Sequence, residues 1–147
     1  MKNQRNERGI TLVALVVTIV VLLILAGITI TYVLSDNGIF GKAKDATIQT
    51  AKGHISDQVN LAIVAIQADV YTDSTYDMTK ANTAVGSYLS SAGITGTFTF
   101  TKASIADGLV GSGDLTYDGV TCTATLNTNA AAGTPVLTVV VKTAPTV

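Results

Sequence analysis

The sequence predicts an α+β protein in which a long N-terminal α-helix packs against a small antiparallel β-sheet. Three observations support this fold class. No charged residue occurs from Gly9 to Ser35, apolar residues then recur at helical spacing to about residue 70, and beyond Gly93 they alternate with threonine. A chain of 147 residues has room for one domain and a membrane segment, but not for two independent cores.

The first element is an uncharged run over 10–34, composed mainly of isoleucine, leucine, valine, alanine and threonine. As a helix it would extend about 37 Å, enough to cross a hydrocarbon core of about 30 Å. Lys2, Arg5 and Arg8 precede this run, and the first charge after it is Asp36. Because positive charge stays in the cytoplasm, we expect a single-pass topology with the C-terminus outside.

A second, amphipathic helix is predicted over 39–70, within a stem segment of residues 35–70. Asn37 and Gly38 should separate the two helices, since both residues tolerate the left-handed backbone that ends helices. The apolar stripe of the second helix repeats at three- and four-residue spacing: Ile48, Ala51, Ile55, Val59, Ala62, Ile63 and Ile66. We expect this stripe to pack beneath the sheet.

The remaining segment, 71–147, reads as an exported head. Asp77 is predicted to cap a short helix over 78–92, which Gly93 would end.

Alternation over 95–142 then predicts three or four antiparallel strands, with a tight hairpin turn at Asp118-Gly119 and a last strand over 136–142. Inward-facing positions of that region include Phe98, Phe100, Val120, Cys122, Ala124 and Leu126. Threonine occupies the positions between them and should face solvent.

No pattern typical of catalysis occurs in the sequence. His54 is the only histidine and Cys122 the only cysteine, so neither has a second residue of its kind to share a metal or a disulfide. Asp69, Asp73 and Asp77 could suggest calcium, but neither the glycine turn nor the glutamate of a calcium loop follows them. We expect no enzyme activity, no metal and no cofactor.

The overall composition is 48 % hydrophobic and 13 % charged, with a mean hydropathy of +0.46, which is too apolar for an ordinary soluble domain. Basic residues do not cluster beyond residue 9, so the sequence gives no indication of nucleic-acid binding.

Three interpretations compete for the N-terminus. A secretory signal peptide would have a shorter apolar stretch and a small-residue cleavage site after it. A plain membrane anchor would explain the length and the charges, but not the abrupt Arg8-Gly9-Ile10 junction. The third is a prepilin signal, which is cleaved before the apolar run so that the helix remains in the mature protein.

Residues 8–30, RGITLVALVVTIVVLLILAGITI, resemble the N-terminal signature of type IV pilins, particularly those of monoderm bacteria. The resemblance extends over roughly 5–66. It implies that residues 1–9 are a leader, that a prepilin peptidase cuts between Gly9 and Ile10, and that the new Ile10 amine is methylated. It also implies assembly through the apolar helix, to which we assign Leu12, Ala14, Leu15, Ala26 and Gly27.

Two positions depart from the family pattern. Ile10 stands where the mature chain usually begins with phenylalanine. Ala14 stands at the fifth mature position, where the family usually has a glutamate that attracts the amine of a neighbouring subunit.

The resemblance implies a structural filament subunit that resides in the cytoplasmic membrane before assembly and at the cell surface afterwards. Its partners would be membrane lipid, the peptidase, identical or related pilin subunits, and an assembly platform driven by a separate ATPase. A minor pilin or pseudopilin of a secretion or DNA-uptake system is an open alternative. So is a monomeric, membrane-anchored surface protein whose small β-domain binds a ligand.

Overall fold

A computed structural model describes residues 4–73, 77–104, 108–128 and 135–144 of the chain. Within these residues the elements, in order, are α1 (Gln4–Leu34), α2 (Ile39–Thr72), α3 (Met78–Ser91), β1 (Thr95–Ser104), β2 (Gly108–Tyr117), β3 (Val120–Thr128) and β4 (Pro135–Thr143). The predicted α+β class is confirmed. Residues 1–3 of the predicted leader, and residues 74–76, 105–107, 129–134 and 145–147 of the predicted head, lie outside the described residues.

The chain divides into two compact units, Met1–Ala43 and Lys44–Val147. In the first unit, α1 begins at Gln4 rather than at residue 10, and it continues through Gly9 without a break. Once the helix over 10–34 has formed, each added residue gains a backbone hydrogen bond without a new nucleation cost, so the six residues 4–9 extend it toward the N-terminus.

The turn between α1 and α2 lies where it was predicted, but it does not depend on the left-handed backbone that was expected at Asn37 and Gly38. Neither Asn37 nor Gly38 has a positive φ. Gly38 is instead required by a close backbone approach, because a Cβ built there would lie 2.1 Å from the carbonyl oxygen of Tyr32. A Cβ at Gly41 would lie 1.8 Å from the carbonyl oxygen of Asp36. The two glycines therefore allow the chain to fold tightly against its own carbonyl groups.

The core of the second unit lies between α2, α3 and the inner face of the sheet. The predicted stripe of α2 is confirmed: Ile48 is partly buried, and the other six predicted residues are at most 2 % exposed. Val70 extends the stripe by one further turn. Gly53 lies within α2 and does not interrupt it.

The four strands form one antiparallel sheet in the order β1-β2-β3-β4. The hairpin between β2 and β3 turns at Asp118 and Gly119, whose φ angles of 49° and 75° are the positive values that a primed turn requires. Along β3 the predicted alternation is confirmed. The inward residues Val120, Cys122, Ala124 and Leu126 are fully buried, whereas Thr121, Thr123 and Thr125 are half-buried on the other face.

The first half of β2 could not be recognised as a strand from the sequence, because it is rich in glycine. Phe98 and Phe100 of β1 pair directly with Gly113 and Gly111 of β2. Their rings meet edge to face, with centroids 5.2 Å apart. The aromatic side chains supply, from β1, the packing that the glycines of β2 cannot supply.

The helix α3 begins and ends close to the predicted positions. Asp77 caps it, accepting a hydrogen bond from the Lys80 backbone N–H at 3.0 Å. After Ser91 the chain leaves the helix through Gly93, which has a φ of 73°. Asn82 then joins α3 to the sheet, since its side-chain oxygen accepts a hydrogen bond from the Phe100 N–H at 2.7 Å.

Candidate membrane and assembly helix

The helix α1 exposes apolar side chains on every side. From Ile10 to Tyr32 its large apolar residues are 46–69 % exposed. Isolated apolar side chains on a protein surface are ordinary, but a continuous apolar helix surface needs a cover of lipid or protein. The segment is long and apolar enough to cross a membrane, and it is the one helical segment of this kind in the described chain.

Three threonine hydroxyl groups of α1 are satisfied within the helix itself. Thr18 donates to the carbonyl of Leu15 at 2.7 Å, Thr29 to that of Leu25 at 2.7 Å, and Thr31 to that of Gly27 at 2.9 Å. Each of these hydroxyls thus bonds to a carbonyl about one turn back along the helix. Such bonds lower the free-energy cost of placing these threonines in lipid, because their hydroxyl donors already have partners.

The predicted cleavage point lies inside regular helix. Gly9 and Ile10 both belong to α1, and the Ile10 side chain is 69 % exposed. A protease that reads an extended backbone must therefore unwind the helix locally. Glycine lowers the cost of that step, because it is about 1 kcal/mol less favourable than alanine in a helix interior.

The five residues predicted for assembly do not form one face. At about 100° per residue, Leu12, Leu15 and Ala26 share one side of α1, whereas Ala14 lies nearly opposite Leu12. All five are exposed, and a Cβ at Gly27 would have no neighbour within 4 Å. Since the helix is apolar all round, nothing in its composition selects one interface.

A second exposed apolar stripe, which sequence reasoning missed, lies on α2. Leu61, Val64 and Tyr71 are 55 %, 63 % and 74 % exposed and lie about half a turn away from the buried stripe. Their spacing of three and seven residues is a signal that was present in the sequence. It was hidden by the stronger stripe of the same helix, which faces the core.

His54 has a structural position in the second unit. Its Nε2 lies 3.1 Å from the carbonyl oxygen of Ala92, so Nε2 carries the hydrogen and donates it. The imidazole also packs on the ring of Tyr117, with centroids 4.2 Å apart. The ring therefore joins α2 to the end of α3 and the end of β2.

Two of the three acidic residues considered for calcium have other partners for their side chains. Asp73 forms an ion pair with Lys80 at 3.0 Å, and Asp77 caps α3. Among the described residues, no group of three or more metal-ligating side chains comes together. Cys122 is buried, and its burial raises the pKa of the thiol, which Lys52 offsets in part.

The outer face of the sheet carries threonine and one ion pair. Asp114 on β2 accepts hydrogen bonds from the Lys142 ammonium and, at 2.6 Å, from the Thr123 hydroxyl. These two bonds hold the pKa of the Asp114 carboxyl below its ordinary value of 3.8. The face is thus polar and paired across three strands.

No family model, no curated protein and no solved structure matches this chain.

Proposed function

We propose that this chain is a structural subunit of a type IV pilus or pilus-like filament, cleaved after Gly9 and assembled through α1. The observation that carries the proposal is the exposed, uncharged and mainly apolar surface of α1 from Ile10 onward, which begins directly at the basic Arg8-Gly9-Ile10 junction. A cut at this junction removes the basic residues and leaves the apolar helix as the new N-terminus.

The physical basis of assembly is that α1 exchanges one apolar environment for another. Lipid covers the helix before assembly, and the α1 helices of other copies cover it afterwards. Since both environments are apolar, transfer has little hydrophobic driving force and close packing decides it. Ala14, Ala26 and Gly27 are the small residues that permit close approach on different sides of the helix.

The missing carboxylate at Ala14 changes how the Ile10 amine is held. Ala14 lies one turn after Ile10 and offers no charged partner. An ammonium group at a helix N-terminus also opposes the helix dipole. We therefore place the methylated amine at the membrane surface, in contact with water or lipid headgroups, and assign register between copies to side-chain packing.

The exposed stripe of α2 supplies a second apolar contact for neighbouring subunits. Leu61, Val64 and Tyr71 cover about 15 Å of helix length, which is long enough for one helix crossing. Peptidase, assembly platform and its ATPase would be separate proteins in this mechanism.

A Gly9→Val substitution tests the proposal in the native host. Wild type is expected to lose residues 1–9 and to appear in the fraction that shearing releases from cells. Gly9→Val should keep the leader and stay in the membrane, because a β-branched side chain obstructs the cut. Gly27→Val is the matched control, since the space around Gly27 is open; it should be processed normally.

A monomeric surface protein is the second candidate, because the Lys44–Val147 unit has a complete core of its own. Unchanged size and unchanged surface display of the Gly9→Val variant would favour this candidate and overturn the filament proposal.

A further inference from the structure

The two edges of the sheet are protected differently. At one edge, α3 packs beside β1, and Asn82 satisfies the backbone N–H of Phe100. At the other edge, within the described residues, no strand or side chain hydrogen-bonds to the outer side of β4 (Pro135–Thr143). Backbone donors and acceptors along β4 are therefore available to a further strand.

The composition of β4 favours strand addition. Its six central residues, 136–141, are uncharged and consist of valine, leucine and threonine, which have high strand propensity. Proteins usually protect such an edge with charge or proline along its length. Pro135 stands only at the start of β4. Lys142 stands near its end, where Asp114 holds the ammonium group.

A cleft runs beside this edge, between β4 and α2. We call it the β4 cleft; its lining includes Lys52, Gly53 and Ser56 from α2, and Leu137 and Val139 from β4. A Cβ built on Gly53 would have no neighbour within 4 Å, so the centre of the helical wall is open. Leu137 and Val139 supply an apolar floor.

The charge of the β4 cleft is positive. Lys52 is half-buried at its wall and forms no ion pair with a described residue. No acidic side chain is among the described residues that line the cleft. An anionic group that lies beside Lys52 would therefore gain an interaction that the chain itself does not supply.

We propose that the β4 cleft binds an extended peptide segment that adds to β4 as a fifth strand and places a carboxylate on Lys52. Main-chain hydrogen bonds to β4 provide the affinity, and alternate side chains of the peptide enter the cleft opposite Gly53. This inference goes beyond the filament proposal and does not depend on it.

A second copy of the chain fits the β4 cleft less well. Antiparallel pairing of β4 with its symmetry mate would place the same surface patch on both sides of the junction. Such pairing would bring two clefts of like charge to one junction, and their described lining includes no acidic side chain to offset the two Lys52 charges. The charge of the cleft thus favours a carboxylate-bearing peptide.

The test uses the full chain in detergent micelles and two fluorescent seven-residue peptides of alternating valine and threonine. One peptide has glutamate at its centre and the other has lysine. Fluorescence anisotropy should show saturable binding of the glutamate peptide, at least tenfold tighter than that of the lysine peptide. Lys52→Glu should reverse this preference.

Gly53→Phe should fill the cleft and weaken binding of the glutamate peptide at least tenfold. Gly86→Phe, on the equally open surface of α3, is the matched control and should leave binding unchanged. Hydrogen exchange should show that bound peptide slows amides of β4 and leaves those of β1 unaffected, which separates strand addition from general adhesion to the protein.

Equal binding of both peptides, no binding of either at millimolar concentration, or binding that Gly53→Phe leaves unchanged would each overturn the inference. Self-association of the chain that Gly53→Phe abolishes, without peptide binding, would assign the cleft to a second copy and overturn it as well. An absence of leader cleavage in native cells would contradict the filament proposal but would not affect the proposed peptide binding.

Discussion

Two glycine-to-alanine substitutions in the same unit should change stability in opposite directions. Gly86 lies in α3, where a Cβ would have no neighbour within 4 Å. Gly113 lies in β2, where a Cβ would lie 2.0 Å from the carbonyl oxygen of Thr97 and 2.7 Å from the Cα of Phe98. The same added methyl group is therefore accommodated at Gly86 and obstructed by backbone atoms at Gly113.

The magnitudes follow from these surroundings. Alanine is about 0.8–1.0 kcal/mol more favourable than glycine inside a helix, so Gly86→Ala should stabilise the unit by about that amount. Forcing a methyl group into filled space typically costs about 1–3 kcal/mol, and at Gly113 the obstructing atoms are backbone, which cannot rotate away. The two variants should differ by about 2–4 kcal/mol in free energy of unfolding.

Labelling of Cys122 with a thiol reagent in excess measures this difference. Cys122 is the only cysteine, and it is fully buried in the central strand β3, so labelling requires the sheet to open. Gly86→Ala should slow labelling about fivefold, and Gly113→Ala should accelerate it about 5- to 150-fold. Wild-type or slower labelling of Gly113→Ala would refute the close approach of β1 and β2 at this position.

Three further substitutions test individual contacts of the same unit. His54→Ala removes the hydrogen bond to Ala92 and the packing on Tyr117, and it should lower the free energy of unfolding by about 1–2 kcal/mol in denaturant titrations. His54→Phe should restore part of that loss, and equal losses in both variants would contradict a role for ring packing. Asp77→Ala removes the cap of α3 and should lower the free energy of unfolding by about 1 kcal/mol, whereas Asp77→Ser, which keeps an acceptor, should lower it by less than half as much. Hydrogen exchange in α3 measures both effects, and exchange unchanged by Asp77→Ala would disprove the cap. The folded-state pKa of Asp114 is lower than 3.8, so its hydrogen bonds stabilise the sheet above pH 3.8, and this stability is lost as the pH falls through the lower folded-state pKa. Asp114→Asn should therefore speed hydrogen exchange in β3 and β4 at pH 7 but not at the acid limit. A difference in exchange between variant and wild type that does not change with pH would contradict the role given to the Asp114 carboxylate.

The sequence predicted most reliably the elements whose pattern and packing agree. The stripe of α2 and the alternation of β3 each place apolar residues on one face, and those faces form the core. The Asp118-Gly119 turn was predictable because two successive positive φ angles admit few residue types.

Other features depend on contacts that one segment of sequence does not contain. The first half of β2 has low strand propensity, and it forms a strand because Phe98 and Phe100 lie opposite its glycines. The requirement for Gly38 comes from the position of the Tyr32 carbonyl, not from a left-handed backbone. The β4 cleft depends on sheet order, which places β4 rather than another strand at the open edge.

For the candidate site, sequence alone locates the apolar helix but not its contacts. From Ile10 to Leu34 every side of α1 carries exposed apolar residues, so the pattern of residues does not distinguish the side that meets lipid from the side that meets a neighbour. In α2 the two sides can be distinguished, because one apolar stripe is buried in the core and the stripe formed by Leu61, Val64 and Tyr71 stays exposed.

The N-terminal residue of the chain isolated from native cells tests the central claim most directly. Cleavage after Gly9 leaves Ile10 as the first residue, and mass spectrometry of the N-terminal peptide should find Ile10 with a methylated amine. The same chain should have lost the three basic residues and the glutamate of residues 1–9, which shifts its net charge from −1 to about −3 at neutral pH. An N-terminus at Met1, or a cut on the far side of the apolar run, would contradict the account.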